Sequence, residues 1–291
     1  MHNQTIVSIA TLAVVLTFSP AAFAQSDQPG RSQGLGQPEV TPGPGWLTCP
    51  RCQSPKHVRD ARAKYKVEGH PFKPRDLSGV WGDQGMPLDV KAVPPFTPLG
   101  KKLHDATKAE ETPLGLTASN SNDGLLTCEP LGFPRAFTYN YGFEFVMLPD
   151  RVLQFFEWGH TWRTIWTDGR ALPTNPPTPR WLGYAVGRWE GDTFVVETTG
   201  FDDRSWLAGD RGNYGFPHSD EMRTVERYKR TSFGTLDATL TITDPKVYTQ
   251  PWTTSGTIRL TPGTEIWEYF CVPSESAEYN ERLTKAAAGA K

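Results

Sequence analysis

Short runs of alternating apolar and polar residues fill the chain from Leu77 to Cys271, with turn residues between them. The alternation is clearest in 235–243, where Leu236, Leu240 and Ile242 share one parity and polar residues share the other. Because side chains of a β-strand alternate between its two faces, this pattern predicts strands with one buried face.

Tight turns pair the predicted strands into hairpins. The pairs are 143–148 with 151–158, 151–158 with 161–167, 181–189 with 193–199, 222–230 with 235–243, and 252–260 with 265–271. Successive hairpins make an antiparallel meander, and about nine or ten strands avoid exposed edges by curling. We therefore predict an all-β fold, an antiparallel meander forming a barrel-like sheet similar to lipocalins and calycins.

Glycines add detail to this sheet. Gly79-Val80-Trp81 is similar to the Gly-x-Trp start of lipocalin-like barrels. Gly183 and Gly187 share one strand parity, which indicates a bend or a close backbone approach at that strand.

The segments before and after this region divide the chain. Residues 1–24 resemble a secretory signal peptide ending in Ala22-Phe23-Ala24, and 25–45 form a Pro-, Gly- and Gln-rich leader expected to be disordered. Residues 46–75 carry a Cys-x-x-Cys segment and a short helix over Lys56–Lys66, 76–272 form the β domain, and 273–291 are a tail. A second helical pattern spans 97–110. We expect an exported protein, periplasmic or extracellular, without a membrane span.

Composition narrows the function classes. The 291 residues carry 30 Lys and Arg against 32 Asp and Glu, for a net charge of −2, without a basic block. Nucleic acid is therefore a poor candidate partner. With 37% hydrophobic and 21% charged residues, the chain resembles an ordinary globular protein, and we expect a small-molecule ligand instead.

The four cysteines fall into two pairs. Cys128 and Cys271 are expected to form a structural disulfide that closes a long loop, worth about 4–5 kcal/mol in chain-entropy terms. Cys49 and Cys52 are expected to form a local disulfide. The alternative is a zinc site with His57, but Arg62 stands where the fourth ligand belongs.

Several motifs together resemble a family of secreted proteins from soil and environmental bacteria. They are Asp76–Trp81, Pro149–Val152, Asp168–Arg170, Gly187–Thr193, Pro217–Asp220 and Glu226–Tyr228, continued by Asp244-Pro245 and Pro251-Trp252. The resemblance implies a shared β fold and a shared set of polar residues, and it implies no substrate.

Three residues are candidates for acid or base catalysis. His218 lies in a loop bounded by Pro and Gly, His160 in a turn, and Glu226 on a strand parity that it shares with apolar residues. Each also has a structural interpretation, because Gly-His is common turn chemistry and a buried carboxylate often pairs with Arg. The chain has no G-x-S-x-G motif, and although Ser219 is next to His218 in sequence, that adjacency does not give the geometry of a serine hydrolase. We therefore do not expect a serine hydrolase from the sequence.

Aromatic and polar residues of the neighbouring strands are candidates for substrate binding. They are Arg163, Arg170, Asp168, Trp162, Trp166 and Trp181, within an expected tryptophan wall from Trp158 to Trp189. The structural alternatives are a turn at Asp168-Gly169, ion pairs of the arginines, and tryptophans that belong to the core.

No spacing supports a metal site. His160 and His218 with Asp220 or Glu226 would match a two-histidine, one-carboxylate set, but these residues are far apart in sequence. We expect no metal and no cofactor. The leading hypothesis is an exported protein that binds a small ring-bearing molecule, a carbohydrate or an aromatic or apolar compound, with cofactor-free lyase, hydratase or hydrolase chemistry. The alternatives are a lipocalin-like ligand carrier and a structural or interaction protein of the periplasm.

Overall fold

The computed structural model describes residues 65–82, 86, 89–108, 121–139, 141–207, 209–210, 213–266, 268–274 and 277. The strands are β1 (Gly79–Trp81), β2 (Phe143–Met147), β3 (Arg151–Phe156), β4 (Thr161–Trp166), β5 (Tyr184–Glu190), β6 (Thr193–Thr199), β7 (Gly209–Asp210), β8 (Asn213–Tyr214), β9 (Arg223–Ser232), β10 (Thr235–Thr243) and β11 (Trp252–Arg259). The helices are α1 (Pro98–Ala106) and α2 (Arg135–Thr138), with single 3₁₀ turns at Val90–Ala92 and Gly124–Thr127.

Several predicted segments lie outside the described residues. They are the signal peptide, the leader, Cys49 and Cys52, and most of the predicted helix Lys56–Lys66. The described end of that helix, 65–66, is not helical. The predicted helix within 97–110 is α1, which begins with Pro98 after Thr97, whose hydroxyl accepts from Gly100 N at 3.0 Å.

Nine strands form one sheet in the order β1-β2-β3-β4-β5-β6-β9-β10-β11, and β7 pairs only with β8. The two edges of the large sheet meet. Trp81 bridges Leu260, Gly82 N donates to Arg259 O at 2.8 Å, and Thr261 N donates to Val80 O at 2.9 Å. The sheet is thus nearly closed into a barrel, and the predicted all-β barrel-like fold is confirmed.

One neighbouring pair departs from the predicted antiparallel meander. β4 and β5 run parallel, with Ile165 opposite Ala185 and Trp166 opposite Val186. Parallel strands need a connection that returns to the starting end of the sheet. The Pro-rich stretch 167–183 makes that return, and its prolines prevent it from adding a strand of its own.

The last predicted hairpin is also different. Residues 265–271 were expected to pair with β11, but the described part of this stretch makes only an isolated parallel bridge between Tyr269 and Trp158. The closing contacts of β1 with the end of β11 occupy the edge that the predicted strand would need.

Alternation places the core inside the barrel. On β10, Leu236, Ala238, Leu240 and Ile242 are buried, as predicted. The expected close approach on β5 is present at Gly187, where a Cβ would lie 2.9 Å from Ile165 Cγ2. It is present at Gly183 too, which has a φ of +68° and faces Thr198 and Phe201.

Aromatic rings fill the barrel interior. Phe137 of α2 reaches in to contact Phe143 and Tyr228, with ring centroids 5.3 and 5.7 Å apart, and Phe145 lies 5.3 Å from Tyr228. The short helix α2 therefore plugs one end of the barrel with its own side chains.

The two ends of the barrel differ in their connections. At one end, tight turns join β2 to β3, β5 to β6 and β9 to β10. At the other end, which we call the long-loop end, the stretches 82–142, 200–222 and 244–251 join the strands. The described residues contain no helix with the length and apolarity that a membrane crossing requires.

Candidate functional site

A serine and a histidine of the 200–222 connection are in hydrogen-bond contact at the long-loop end. Ser205 Oγ lies 2.9 Å from His218 Nε2, and His218 Nδ1 lies 3.2 Å from the backbone oxygen of Ser219. Because a carbonyl oxygen can only accept, Nδ1 carries the ring proton, and Nε2 accepts from the Ser205 hydroxyl. Burial lowers the pKa of His218, which favours this neutral form at neutral pH.

A buried carboxylate holds the loop that carries His218. Asp244 accepts from Ser219 N at 2.6 Å and from Ser219 Oγ at 2.8 Å. Tyr248, in the turn after Asp244, donates its hydroxyl to Pro217 O at 2.8 Å. The residues on both sides of His218 are therefore fixed, and Asp244 acts on the histidine through Ser219, whose carbonyl sets the position of the ring proton.

The segment before α2 packs against Ser205. Gly132 has a φ of +70°, and a Cβ there would collide with Ser205 Oγ. Phe133 N donates to Trp181 O at 2.9 Å, which ties this segment to the connection before β5. Ser205 is 6% exposed. Its hydroxyl occupies the space that a side chain at position 132 would fill, so the glycine there is what allows this position.

An open cleft lies among the long connections that carry Gly132 and Ser205. It has a volume of about 340 Å³, and its walls include Asp123, Thr127, Glu129 and Arg204. Glu129 precedes Gly132 by three residues, and Arg204 directly precedes Ser205. The walls of the cleft thus belong to the two segments that also meet at the Ser205 hydroxyl.

A second polar cluster lies inside the barrel. Arg163 donates from Nη1 to Glu226 Oε1 at 3.0 Å and from Nη2 to Glu226 Oε2, and its Nε donates to Gln154 Oε1 at 2.8 Å. Tyr228 donates its hydroxyl to Glu226 Oε2 at 2.6 Å, and Thr198 Oγ1 lies 3.4 Å from Glu226 Oε1. Glu226 is 0% exposed. Burial raises the pKa of Tyr228, so the phenol stays a proton donor to this carboxylate.

Two phenylalanine rings lie between the polar clusters. The Arg163 guanidinium carbon is 3.8 Å from the Phe133 ring centroid, Phe133 stacks on Phe201, and Phe201 meets the His218 ring edge-on at 6.3 Å. Of the three predicted catalytic residues, Glu226 thus belongs to the interior cluster and His218 to the Ser205 contact.

His160, the third of the set, occupies the turn between β3 and β4, as its structural interpretation expected. It adopts a left-handed φ of 49°, and its ring lies 5.0 Å from that of Phe270. In the part of the chain that the structure describes, no three His, Cys, Asp or Glu side chains are grouped to hold a metal ion.

The residues predicted to bind substrate are distributed over several surroundings. Arg163 is in the interior, and Trp162 faces outward from β4 with 59% of its surface exposed. On the same outer face, Trp166 has the Arg170 guanidinium carbon 3.6 Å from its ring centroid, and Arg170 pairs with Asp168 at 2.6 Å. These contacts fit the turn and ion-pair alternatives for Asp168 and Arg170.

The expected tryptophan wall is replaced by separate aromatic contacts. Trp181 lies beneath the Arg204 guanidinium, with its ring centroid 4.4 Å from the guanidinium carbon. Trp158 joins tyrosines instead, with Tyr269 stacked on it at 4.7 Å and Tyr141 at 5.1 Å. Burial raises the pKa of Tyr141 above its usual value.

The predicted disulfide between Cys128 and Cys271 is present, with its Cα atoms 5.3 Å apart. Cys128 ends the 3₁₀ turn that lines the cleft, and Cys271 follows Tyr269 and Phe270. The bond therefore attaches the aromatic segment near Trp158 to the cleft wall.

Sequence reasoning missed three residues of this site: Ser205, Glu129 and the role of Asp244. Ser205 lies 13 positions before His218 in an irregular segment, so no periodicity or motif joins them. Asp244 was visible only as part of an Asp-Pro motif. Its link to Ser219 spans 25 positions and depends on the pairing of β9 with β10.

Comparison with protein-family models, with curated proteins and with solved structures finds no match to this chain. The resemblance to secreted bacterial proteins therefore stays a prediction.

Proposed function

We propose that this chain is a cofactor-independent hydrolase of small acyl esters, with Ser205 as the nucleophile and His218 as its general base. The observation that carries the proposal is the hydrogen bond between Ser205 Oγ and His218 Nε2, with Nδ1 committed to the Ser219 carbonyl. This is the arrangement in which imidazole accepts the proton of an attacking hydroxyl.

The chemical steps follow from this geometry. Ser205 Oγ attacks the acyl carbon of the ester, and its proton passes to His218 Nε2. The bond to the alcohol oxygen breaks, and that oxygen leaves with the proton from Nε2. A water molecule then loses a proton to Nε2 and attacks the acyl carbon. The bond from that carbon to Ser205 Oγ breaks, Oγ takes the proton back from Nε2, and the acid is released.

Three features around the pair of Ser205 and His218 support the proposal. The lowered pKa of His218 keeps Nε2 free to accept a proton at neutral pH. Asp244 replaces a direct carboxylate contact, because it fixes Ser219, whose carbonyl orients the ring. The cleft lined by Glu129 and Arg204 is where we place the ester, because Arg204 directly precedes the nucleophile in the chain.

Export from the cytoplasm is part of the proposal. It is supported by the apolar N-terminal segment with its Ala-Phe-Ala ending and by the disulfide between Cys128 and Cys271, since disulfides persist in oxidising compartments. A lipocalin-like carrier has less support, because the rings of Phe137, Phe143 and Tyr228 occupy the interior where such barrels hold a ligand.

Labelling with a fluorophosphonate probe tests the serine. We expect the probe to modify the wild-type chain at Ser205, as located by peptide mass spectrometry. His218→Gln should slow labelling about 100-fold, because general-base catalysis contributes on that order. Ser255→Ala, at an exposed position of β11, is the matched serine control and should label at the wild-type rate.

Two results would contradict the proposal. One is a wild-type chain that the probe leaves unmodified at Ser205. The other is a His218→Gln variant that remains folded by circular dichroism and labels as fast as wild type, since the base would then have no role.

A further inference from the structure

The polar side chains that line the cleft differ in whether they are already hydrogen-bonded within the protein. Most polar side chains there already bond to the protein. Asp123 accepts from Arg135 at 2.8 and 2.6 Å, Asn122 bonds to the backbone of Ala106 and Lys108, and Thr127 donates to Gly124 O. Because their hydrogen bonds are already made within the protein, these groups shape the cleft and are not the ones that we expect to bind a ligand.

The remaining charged groups of the cleft are Glu129 and Arg204. Arg204 bonds through Nε and Nη2 to Asp202, at 2.8 and 2.7 Å, and its guanidinium lies over the Trp181 ring. This leaves the Nη1 end of the guanidinium as a donor at the cleft wall. The Glu129 carboxylate lies against Gly124, where a Cβ would collide with it. The hydrogen bonds to Asp202 and the negative charge of Glu129 both raise the pKa of Arg204.

A carboxylate and a guanidinium in one cleft select against ligands with a single sign of charge. An anion that pairs with Arg204 is repelled by Glu129, and a cation that pairs with Glu129 is repelled by Arg204, so neither charge gains from both walls. A hydroxyl group suits both walls, because it donates to a carboxylate and accepts from a guanidinium. Several hydroxyl groups on one ring would satisfy both at once.

Building on the esterase function above, we propose that the alcohol part of the substrate is a hydroxyl-rich ring, such as a sugar, bound between Glu129 and Arg204. Arg204 and Glu129 are specificity-determining residues in this assignment. They bind the alcohol, while the acyl carbon lies at Ser205, the residue next to Arg204 in the chain.

The test compares two acetates of primary alcohols, methyl 6-O-acetyl-glucoside and hexyl acetate. Their acyl groups are identical, so a difference in kcat/KM reports on the alcohol. We expect wild type to favour the sugar ester about tenfold or more, which is the effect of about 1.4 kcal/mol of added binding. Glu129→Gln and Arg204→Gln should each lower that ratio about tenfold, mainly through KM. Glu265→Gln, at an exposed carboxylate beyond β11, is the matched control and should keep the ratio.

A second measurement separates this inference from the esterase itself. Saturation-transfer NMR with methyl glucoside, which has no ester, should show binding to wild type and weaker binding to Glu129→Gln. No saturation transfer to methyl glucoside, or a kcat/KM ratio near one while the probe still labels Ser205, overturns the hydroxyl-rich substrate and leaves the serine hydrolase standing. Saturation transfer that depends on Glu129 without labelling of Ser205 supports the sugar site and overturns the hydrolase.

Discussion

The interior cluster of Arg163 and Glu226 and the cluster of Ser205 and His218 are both buried, but their polar atoms are used differently. Both carboxylate oxygens of Glu226 accept from Arg163, and one of them also accepts from Tyr228. Its surroundings are aromatic rings and strands. The Ser205 hydroxyl instead donates a hydrogen bond to a neutral imidazole, and the residue before it, Arg204, lines an open cleft.

This difference indicates a structural role for the pair of Arg163 and Glu226 and a chemical role for Ser205 and His218. A buried ion pair with all its oxygens bonded holds its charge in place, and its protons have nowhere to go. A neutral serine and histidine carry no net charge until the proton moves, so they can be buried at modest cost and still react. Burial alone therefore does not identify a reactive group. What identifies it is a neighbouring group that can take up its proton.

The largest expected effect concerns the interior. Glu226→Gln leaves the Arg163 guanidinium buried at 3% exposure without a counter-ion. Breaking a buried pair in this way costs about 3–5 kcal/mol. We expect the free energy of unfolding, measured by urea denaturation, to fall by that amount.

The double variant Arg163→Met with Glu226→Leu is the control, since it removes both charges and should recover most of the loss. It should also keep the labelling of Ser205 by the fluorophosphonate probe. A folded double variant that labels far more slowly than wild type would break the comparison, because the interior cluster would then contribute to the chemistry.

An intermediate effect is expected at Asp244. Asp244→Ala removes the acceptor of two bonds from Ser219 and leaves both donors buried. We expect the free energy of unfolding to fall by about 2–3 kcal/mol, because hydrogen bonds to a charged group contribute on that order. Labelling of Ser205 should slow as well, since the Ser219 carbonyl no longer fixes the His218 ring.

Asp244→Asn separates the two consequences. Its amide oxygen can still accept one of the bonds, so labelling should be restored in part. Equal labelling rates in wild type and in folded Asp244→Ala would show that Asp244 only stabilises the fold.

The strands were largely predictable because their signals are local. The turn signals at Pro149-Asp150 and Gly159-His160 and the alternation on β10 need only neighbouring residues to be recognised. The parallel pairing of β4 with β5 depends instead on the path of 167–183, and its prolines indicate irregular chain without indicating where that chain leads.

The site was less predictable, for the same reason. His218 was identifiable as a histidine in a loop, and the disulfide pairing of Cys128 with Cys271 followed from their positions. Ser205 carried no signal, because its role arises only where Gly132 and His218 meet it in space. The alternation on β9 indicated that Glu226 points inward. Its partner Arg163 lies 63 positions away on β4, a strand that does not pair with β9.

The smallest expected effect is a pH dependence at His218. Because burial lowers its pKa, the folded state resists a proton that the unfolded chain accepts near its ordinary pKa of about 6.5. This contribution to stability is complete above that value and is lost as pH falls through the folded pKa. The free energy of unfolding should therefore decline on acidification below about pH 6.5 and decline less steeply in His218→Gln.

Labelling of Ser205 should persist to lower pH than an ordinary histidine base would allow, since the neutral imidazole survives there. A labelling profile that already falls above the ordinary histidine pKa would show that His218 is not the group that accepts the proton.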